Sequence, residues 1–194
     1  TLRNSSAASD VYKRQAVVKA FSYGSDSRVV SQELERLGVD YLAVAYTQEG
    51  VDLRKFGIKI PILVLHPQEK DFDNIIENQL EPSIYSFRIL SFFFKTLKIK
   101  NKKSYPYHIK FNTGLNRLGF LKKDIHKLSE LIKPNLPKYI FSHLGASEDL
   151  DEKEYTKKQI EEFISIDRAL EIKLKASLKK HLLNTSGILN YSNY

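Results

Sequence analysis

The chain has 194 residues, 42% hydrophobic and 28% charged, enough for one globular domain with a packed core. It has no cysteine, which excludes disulfides and thiolate metal sites, and its longest greasy patch, Leu90–Phe94, is broken by Lys95 far short of the roughly 18 residues of a membrane span. Much of the formal charge of +8 lies between Lys95 and Lys103, which reads as a solvated helix end and loop, so neither nucleic acid nor a membrane is an expected partner.

Residues 1–15 are rich in Ser and Ala, end in Val11-Tyr12-Lys13-Arg14-Gln15 and share no period with the rest of the chain. With no methionine in the chain, they read as a non-native leader expected to stay outside the fold, leaving 16–194 as the domain. From Ala16 short apolar runs alternate with helical stretches. Strands are predicted at Ala16–Lys19, Tyr41–Val44, Ile62–Leu65, Ser83–Tyr85, Tyr107–Phe111, Tyr139–Phe141 and His181–Leu183. Helices are predicted near Ser27–Leu37, Glu49–Phe56, Phe72–Asn78, Phe87–Leu97, Lys123–Ile132 and Tyr155–Leu174. In the first, Val29, Val30, Leu34 and Leu37 share one face; Gly38 and Gly57 sit where C-terminal caps belong. The end, Asn190–Tyr194, reads as a loop.

This rhythm means βαβ units, a parallel sheet and right-handed crossovers. Seven strands fit a (β/α)8 TIM-type barrel truncated before its eighth strand. A doubly wound open sheet is the alternative, but no Gly-rich phosphate turn succeeds the first strand.

Polar residues recur at the C-terminal ends of the predicted strands, where barrel enzymes place their sites. Lys19 ends the first in Ala16-Val17-Val18-Lys19-Ala20-Phe21-Ser22-Tyr23-Gly24, with Tyr23 close behind. A partly desolvated lysine there can lose its proton near neutral pH and form a Schiff base, and pyridoxal 5′-phosphate is the usual partner for such a lysine. Arg117 comes after the fifth strand between Gly114 and Gly119, in a loop suited to clamping a carboxylate or an aromatic oxyanion. His143 comes after the sixth strand. Asn184-Thr185-Ser186-Gly187 comes after the seventh, with small donors and a backbone free to approach an anion. Taken singly, each has an ordinary reading: a loop arginine paired with a carboxylate, a hydrogen-bonded structural histidine, common turn chemistry. Their shared end of the strands is the stronger signal. His66, His108, His126 and His181 lack metal-ligand spacing and read as structural or surface residues, so no metal is expected. No Gly-x-Ser-x-Gly elbow accompanies Ser142 and His143, which argues against a serine hydrolase.

Over residues 16–194 the chain resembles the N-terminal barrel of bacterial alanine racemases, fold-type III pyridoxal-phosphate enzymes. The resemblance rests on the cofactor-lysine segment at 16–24, Gly38-Val-Asp-Tyr-Leu-Ala-Val-Ala45, Pro61-Ile-Leu-Val-Leu65, Asn112-Thr-Gly-Leu-Asn-Arg-Leu-Gly-Phe120 and Ser142-His-Leu-Gly-Ala-Ser-Glu-Asp149, in that order. The last segment and Asn184-Thr-Ser-Gly-Ile188 most resemble versions fused behind a muramoyl-peptide ligase. The resemblance implies that Lys19 carries the cofactor as an internal aldimine and is one catalytic base. It implies that Tyr23 and Thr185 hold the phosphate, and that Arg117 bonds the phenolic oxygen and helps place the substrate carboxylate. His143 would lie against the pyridine ring and Asn184 line the cofactor site. Lys110 matches a position often carbamylated, although Asn112 stands for the usual aspartate and Leu115 for the usual methionine. The implied function is interconversion of L- and D-alanine for peptidoglycan, in a cytoplasmic homodimer. The second base and the eighth strand would lie beyond Tyr194, so this stretch alone is expected to be inactive. Rival readings are a decarboxylase or another racemase on the same barrel, a single-domain non-catalytic carrier of the cofactor, and a basic RNA-binding protein.

Overall fold

A computed structural model describes residues 14–193. Its seven strands are β1 (Gln15–Val17), β2 (Tyr41–Val44), β3 (Ile62–Val64), β4 (Glu81–Ile84), β5 (His108–Lys110), β6 (Tyr139–Phe141) and β7 (Lys179–His181). They form one sheet in chain order, and every neighbouring pair is parallel. Between them run α1 (Lys19–Gly24), α2 (Ser27–Arg36), α3 (Thr47–Lys55), α4 (Phe72–Glu77), α5 (Phe87–Ile99), α6 (Ile125–Ile132) and α7 (Lys153–Leu174), with α8 (Thr185–Asn190) after β7. A doubly wound sheet reverses its strand order at a switch point; this order never reverses, which rules that alternative out.

The sheet curls. Tyr41 on β2 and Tyr139 on β6 have ring centroids 5.8 Å apart, whereas four strand spacings of ~4.8 Å would hold them about 19 Å apart in a flat sheet. The result is seven strands of a barrel wall. Side chains alternate across that wall. Leu42, Val44, Ile62, Val64, Ile84, Ile109 and Ile140 face the helices and join Phe72, Phe93, Leu128, Phe163 and Leu170 in the main core. Fully burying each such side chain contributes about 1.5–3 kcal/mol.

The inner face is different in kind. Barrel interiors are usually packed with branched aliphatics, but here Tyr41, Glu81, Ser83, His108, Lys110, Tyr139 and Phe141 are buried. At the strands' N-terminal ends, the barrel floor, Glu81 anchors a network. Its Oε1 accepts from Lys138 Nζ (2.7 Å), and its Oε2 from Tyr41 Oη (3.1 Å) and His108 Nε2 (2.9 Å). Burial pushes the Glu81 carboxyl up, but hydrogen bonds from His108 and Lys138 outweigh it and hold the group below the usual value. His108 Nδ1 lies 3.3 Å from His181 Nε2; burial, reinforced by the charge of His108, pushes His181 down to about 3, and burial also lowers His108. Both rings are therefore neutral in the physiological range. Arg54 on α3 ties the loops below this floor, donating to the carbonyl oxygens of Ile58, Ile60, Asn78 and Gln79 at 2.8–3.1 Å.

Four sequence expectations need correction. The ladder begins at Gln15, inside the predicted leader, and Arg14 is bound too: its amide donates to Asp40 Oδ2 (2.8 Å) and its guanidinium to the Gly38 carbonyl (2.9 Å). The boundary at 15/16 therefore falls inside the first strand; residues 1–13, with Val11 and Tyr12, lie outside the described residues. Second, β1 ends at Val17, so Lys19 opens α1 and does not close the strand. Third, β7 is Lys179–His181, two residues earlier than predicted. Leu182 and Leu183, whose apolarity suggested the strand, pack beside Leu144, Ile160 and Tyr191. Fourth, Val29 and Leu37 on or beside α2 are 60% and 56% exposed, leaving Val30 and Leu34 to meet the core. The loop read at Asn190–Tyr194 comes directly after α8, which Asn184 caps and which ends at Asn190; Tyr191–Asn193 are non-helical.

The lysines around 95–103 sit at the end of α5, the floor side of the barrel; Lys100 pairs there with Asp73 (3.0 Å) and Glu77 (2.9 Å). Among the described residues no helix is long and apolar enough to cross a membrane.

Candidate active site

The opposite end of the barrel collects the residues singled out in the sequence. Val18 extends the ladder past β1, its N–H donating to the Ala43 carbonyl (2.9 Å), and is itself buried. Lys19 then opens a left-handed turn: Ala20, Phe21, Ser22 and Tyr23 have φ of 50°, 51°, 50° and 59°. Without glycine, such backbone costs roughly 1–2 kcal/mol per residue. The turn closes with Ser22 N–H to Val18 O (3.2 Å) and Ser25 N–H to Phe21 O (2.6 Å). None of its residues is fully buried: Phe21 is 77% and Tyr23 69% exposed, and Ser22 is half-buried with its Oγ shielded and unpartnered. Lys19 Nζ lies 6.0 Å from the centre of the Tyr23 ring.

Lys110 closes β5 as a buried amine, with Nζ 5.9 Å from the centre of the Phe141 ring. Burial, then the charges of Arg117 and Lys19, pushes it down to about 8. Arg117 is carried by a closed loop. Asn112 N–H bonds to Phe120 O and Phe120 N–H to Lys110 O, both at 2.9 Å. Asn112 Oδ1 accepts from the Gly114 (3.1 Å) and Asn116 (2.9 Å) amides, so this Asn supplies the acceptor that an aspartate would. Gly119 makes the closure possible: at φ 132°, a Cβ there would stand 2.5 Å from the Phe111 carbonyl carbon. Thr113 and Ser142 hydroxyls, 2.8 Å apart, tie this loop to the end of β6.

His143 lies just past β6. Partial desolvation, then Lys110, Arg117 and Lys19, lowers its pKa, while Glu148 acts in the opposite sense. Its loop is held by Gln159 on α7, which accepts from the Gly145 amide (2.8 Å). Asn184 Oδ1 accepts from Gly187 N–H (2.8 Å) and from Ser147 Oγ (2.6 Å), so it caps α8 and fastens it to the loop after His143. Thr185, the first residue of α8, is exposed.

The structure thus brings Lys19, Lys110, Arg117 and His143 within electrostatic reach, with Tyr23 beside Lys19 and Asn184-Thr185 linked through Ser147. Among the described residues none of those four side chains forms an ion pair, and no cluster of groups is arranged to hold a metal. The sequence matches the family described as alanine racemase, N-terminal domain, over residues 2–194.

The chain belongs to the alanine racemase N-terminal domain family.

Among curated proteins it is 33% identical over 183 residues to alanine racemase 1 of Caldanaerobacter subterraneus subsp. tengcongensis, covering 92% of this chain and 47% of the relative. It is 35% identical over 182 residues to the alanine racemase of Methanococcus maripaludis, covering 91% and 48%. The chain spans about half the length of these relatives. Among solved structures, an alanine racemase from Clostridium difficile 630 superimposes with a TM-score of 0.88 at 28% identity, over 95% of this chain and 52% of that one. One from Bartonella henselae, with covalently bound pyridoxal phosphate, gives 0.81 at 26% identity, over 95% and 53%.

Sequence reasoning missed two groups in this alanine racemase domain. His108, buried, and His181, half-buried, were read as structural or surface residues and are structural, but the Glu81 network they join is announced by no local motif, because its members are scattered over four strands and the residue before β6. Glu49 was also overlooked. It stands three residues after the N-cap Tyr46 of α3, a spacing that marks a capping glutamate and could have drawn attention to it.

Proposed function

We propose that the chain is the cofactor-binding barrel of an alanine racemase that interconverts L- and D-alanine with pyridoxal 5′-phosphate. The observation that carries this is the cluster of Lys19, Lys110, Arg117 and His143 at one mouth. Four basic groups that form no ion pair among the described residues, one with its pKa pushed down to about 8 by burial and by its neighbours' charges, suit a ligand that brings phosphate and phenolate oxygens. The donor set therefore fits the cofactor. When bound, that group supplies an electron sink that acidifies the substrate's α-hydrogen.

In this reading Lys19 Nζ attaches the cofactor and moves the α-proton on one face. Tyr23 and Thr185 hydroxyls hold the phosphate. Arg117 holds the phenolic oxygen and orients the substrate carboxylate, which a guanidinium fork does through paired N–H donors. His143 lies against the pyridine ring, and Asn184 shapes the site through the α8 cap it makes. Lys110 has the depressed pKa that carbamylation needs: at pH 7 roughly a tenth of its amine is neutral. A carbamate there would steady Arg117. A base on the other face, from a tyrosine of a partner subunit, completes the exchange in a homodimer. Supply of D-alanine for peptidoglycan in the cytoplasm goes with this assignment.

The test is chemical. Incubation with pyridoxal phosphate and then borohydride is expected to leave a stable pyridoxyl group on Lys19, found by peptide mass spectrometry and absent from Lys19→Ala. Labelling spread over surface lysines, with Lys19 unmodified, would sink the reading. The same chain assayed alone should convert L-alanine at least a hundredfold more slowly than a racemase of the relatives' full length.

A further inference from the structure

We propose that Glu49 is a positioning residue for the mouth: its carboxylate pins the left-handed turn that aims Lys19 and Tyr23. The inference rests on the reading of that mouth as the cofactor site. Glu49 lies in the first turn of α3. Its Oε2 accepts from the Ala45 (2.7 Å) and Tyr46 (2.9 Å) amides, the expected work of a capping glutamate. Its Oε1 does something a cap does not require. It reaches across to accept the Ala20 amide (2.8 Å), the N–H directly after Lys19. One carboxylate thus joins the start of α3 to the turn after β1.

The turn needs such an anchor. Four consecutive residues that carry a Cβ are held at positive φ, and no residue of the turn is fully buried to offset that cost. Backbone hydrogen bonds such as Ser22 N–H to Val18 O and Ser25 N–H to Phe21 O close the turn on itself, and the Glu49 carboxylate ties its Ala20 amide to α3. A charge-assisted bond to a backbone amide is stronger than these. Because Lys19 and Tyr23 stand at the two ends of the turn, releasing Ala20 would let both move relative to Lys110, Arg117 and His143. All three partners of Glu49 are N–H donors, so a glutamine sets an amide N–H against at least one of them. An aspartate keeps the charge at α3 but is one methylene short of Ala20.

The experiment reads residue-resolved amide hydrogen exchange of the chain without cofactor, and separately its affinity for pyridoxal phosphate. Glu49→Asp is expected to speed exchange across Ala20–Gly24 at least tenfold, to leave Ala45 and Tyr46 protected, and to weaken cofactor binding at least tenfold. Glu49→Gln should do the same with added exposure at Ala45 or Tyr46. Ser22→Gly, placed in the Glu49→Asp background, should recover a third or more of the lost affinity, because glycine adopts positive φ without penalty. Unchanged exchange at 20–24 in Glu49→Asp would overturn the proposal, and so would faster exchange there with undiminished affinity. Failure of the unmutated chain to bind the cofactor would defeat the reading of the site instead, leaving the exchange measurement to judge Glu49.

Discussion

The two ends of this barrel hold charge in opposite ways. At the floor, Glu81 is buried and every strong partner is met: Lys138 on one oxygen, Tyr41 and His108 on the other. At the mouth, Lys19, Lys110, Arg117 and His143 lie within electrostatic reach of one another, and among the described residues none of them forms an ion pair. Buried charge is tolerable only when paired, so the floor network belongs to the stability of the fold. At the mouth Lys110 alone is buried, with the Lys19 and Arg117 charges beside it, and this local excess of positive charge is relieved when an anion arrives. Two regions made from the same strands, a few residues apart, thus separate what holds the barrel from what it is for.

Substitutions can break the comparison. The largest effect should come from Glu81→Ala, which strips Lys138 and His108 of their anion. Leaving the two buried donors, Tyr41 Oη and His108 Nε2, without an acceptor costs about 1–3 kcal/mol each, or together roughly 4–24 °C of melting temperature for a chain this size. A smaller drop would mean that water already serves the floor. At the mouth the sign reverses. Lys110 sits at about 8 when folded against 10.5 as its ordinary value. Between pH 8 and 10.5 the unfolded chain binds more protons, so stability rises with pH through that window and carries its full deficit below pH 8. Lys110→Met should therefore stabilise the cofactor-free chain by about 2 kcal/mol at pH 7 and flatten that rise, as urea titrations at pH 7 and 10 would show. Destabilisation at pH 7 would mean that the amine has a partner anion. Smallest in stability is Arg117→Ala. The residue is exposed and forms no ion pair among the described residues, so the melting temperature should move by no more than about 1–2 °C, while pyridoxal phosphate affinity falls tenfold or more.

The strand and helix rhythm was legible because each βα unit carries its own period. Tyr41–Val44 and Tyr139–Phe141 are the strands the apolar runs predict. Boundaries failed where chemistry ran against pattern. β4 begins with Glu81-Pro82, which reads as a turn, and β7 is Lys-Lys-His, with Lys180 ion-paired to Asp167 on α7. The Leu182-Leu183 pair just beyond drew the prediction to itself. The mouth residues were legible because they sit just past strand ends, the one place sequence order and spatial position coincide in a barrel. The floor was not: Tyr41, Glu81, His108, Lys138 and His181 meet only after the sheet curls, and nothing within any one segment of sequence encodes that meeting. The left-handed turn after Lys19 was hidden for a related reason. Ala-Phe-Ser-Tyr has no preference for positive φ, and the contact that secures it comes from Glu49, 29 residues beyond Ala20.

The unbroken strand order has a further consequence, for how the molecule comes into being. Neighbouring strands are joined by short stretches of chain, from 18 residues between the paired Leu63 and Glu81 to 40 between Tyr139 and Lys179. Each newly made strand therefore finds its partner already at the growing rim, and no early strand waits for a distant one. Since domains fold from the N-terminus as synthesis proceeds, this wall can be laid down stave by stave as the chain leaves the ribosome, with Lys19 set in the first stave and Arg117, His143 and Thr185 brought round to it by the fifth, sixth and seventh.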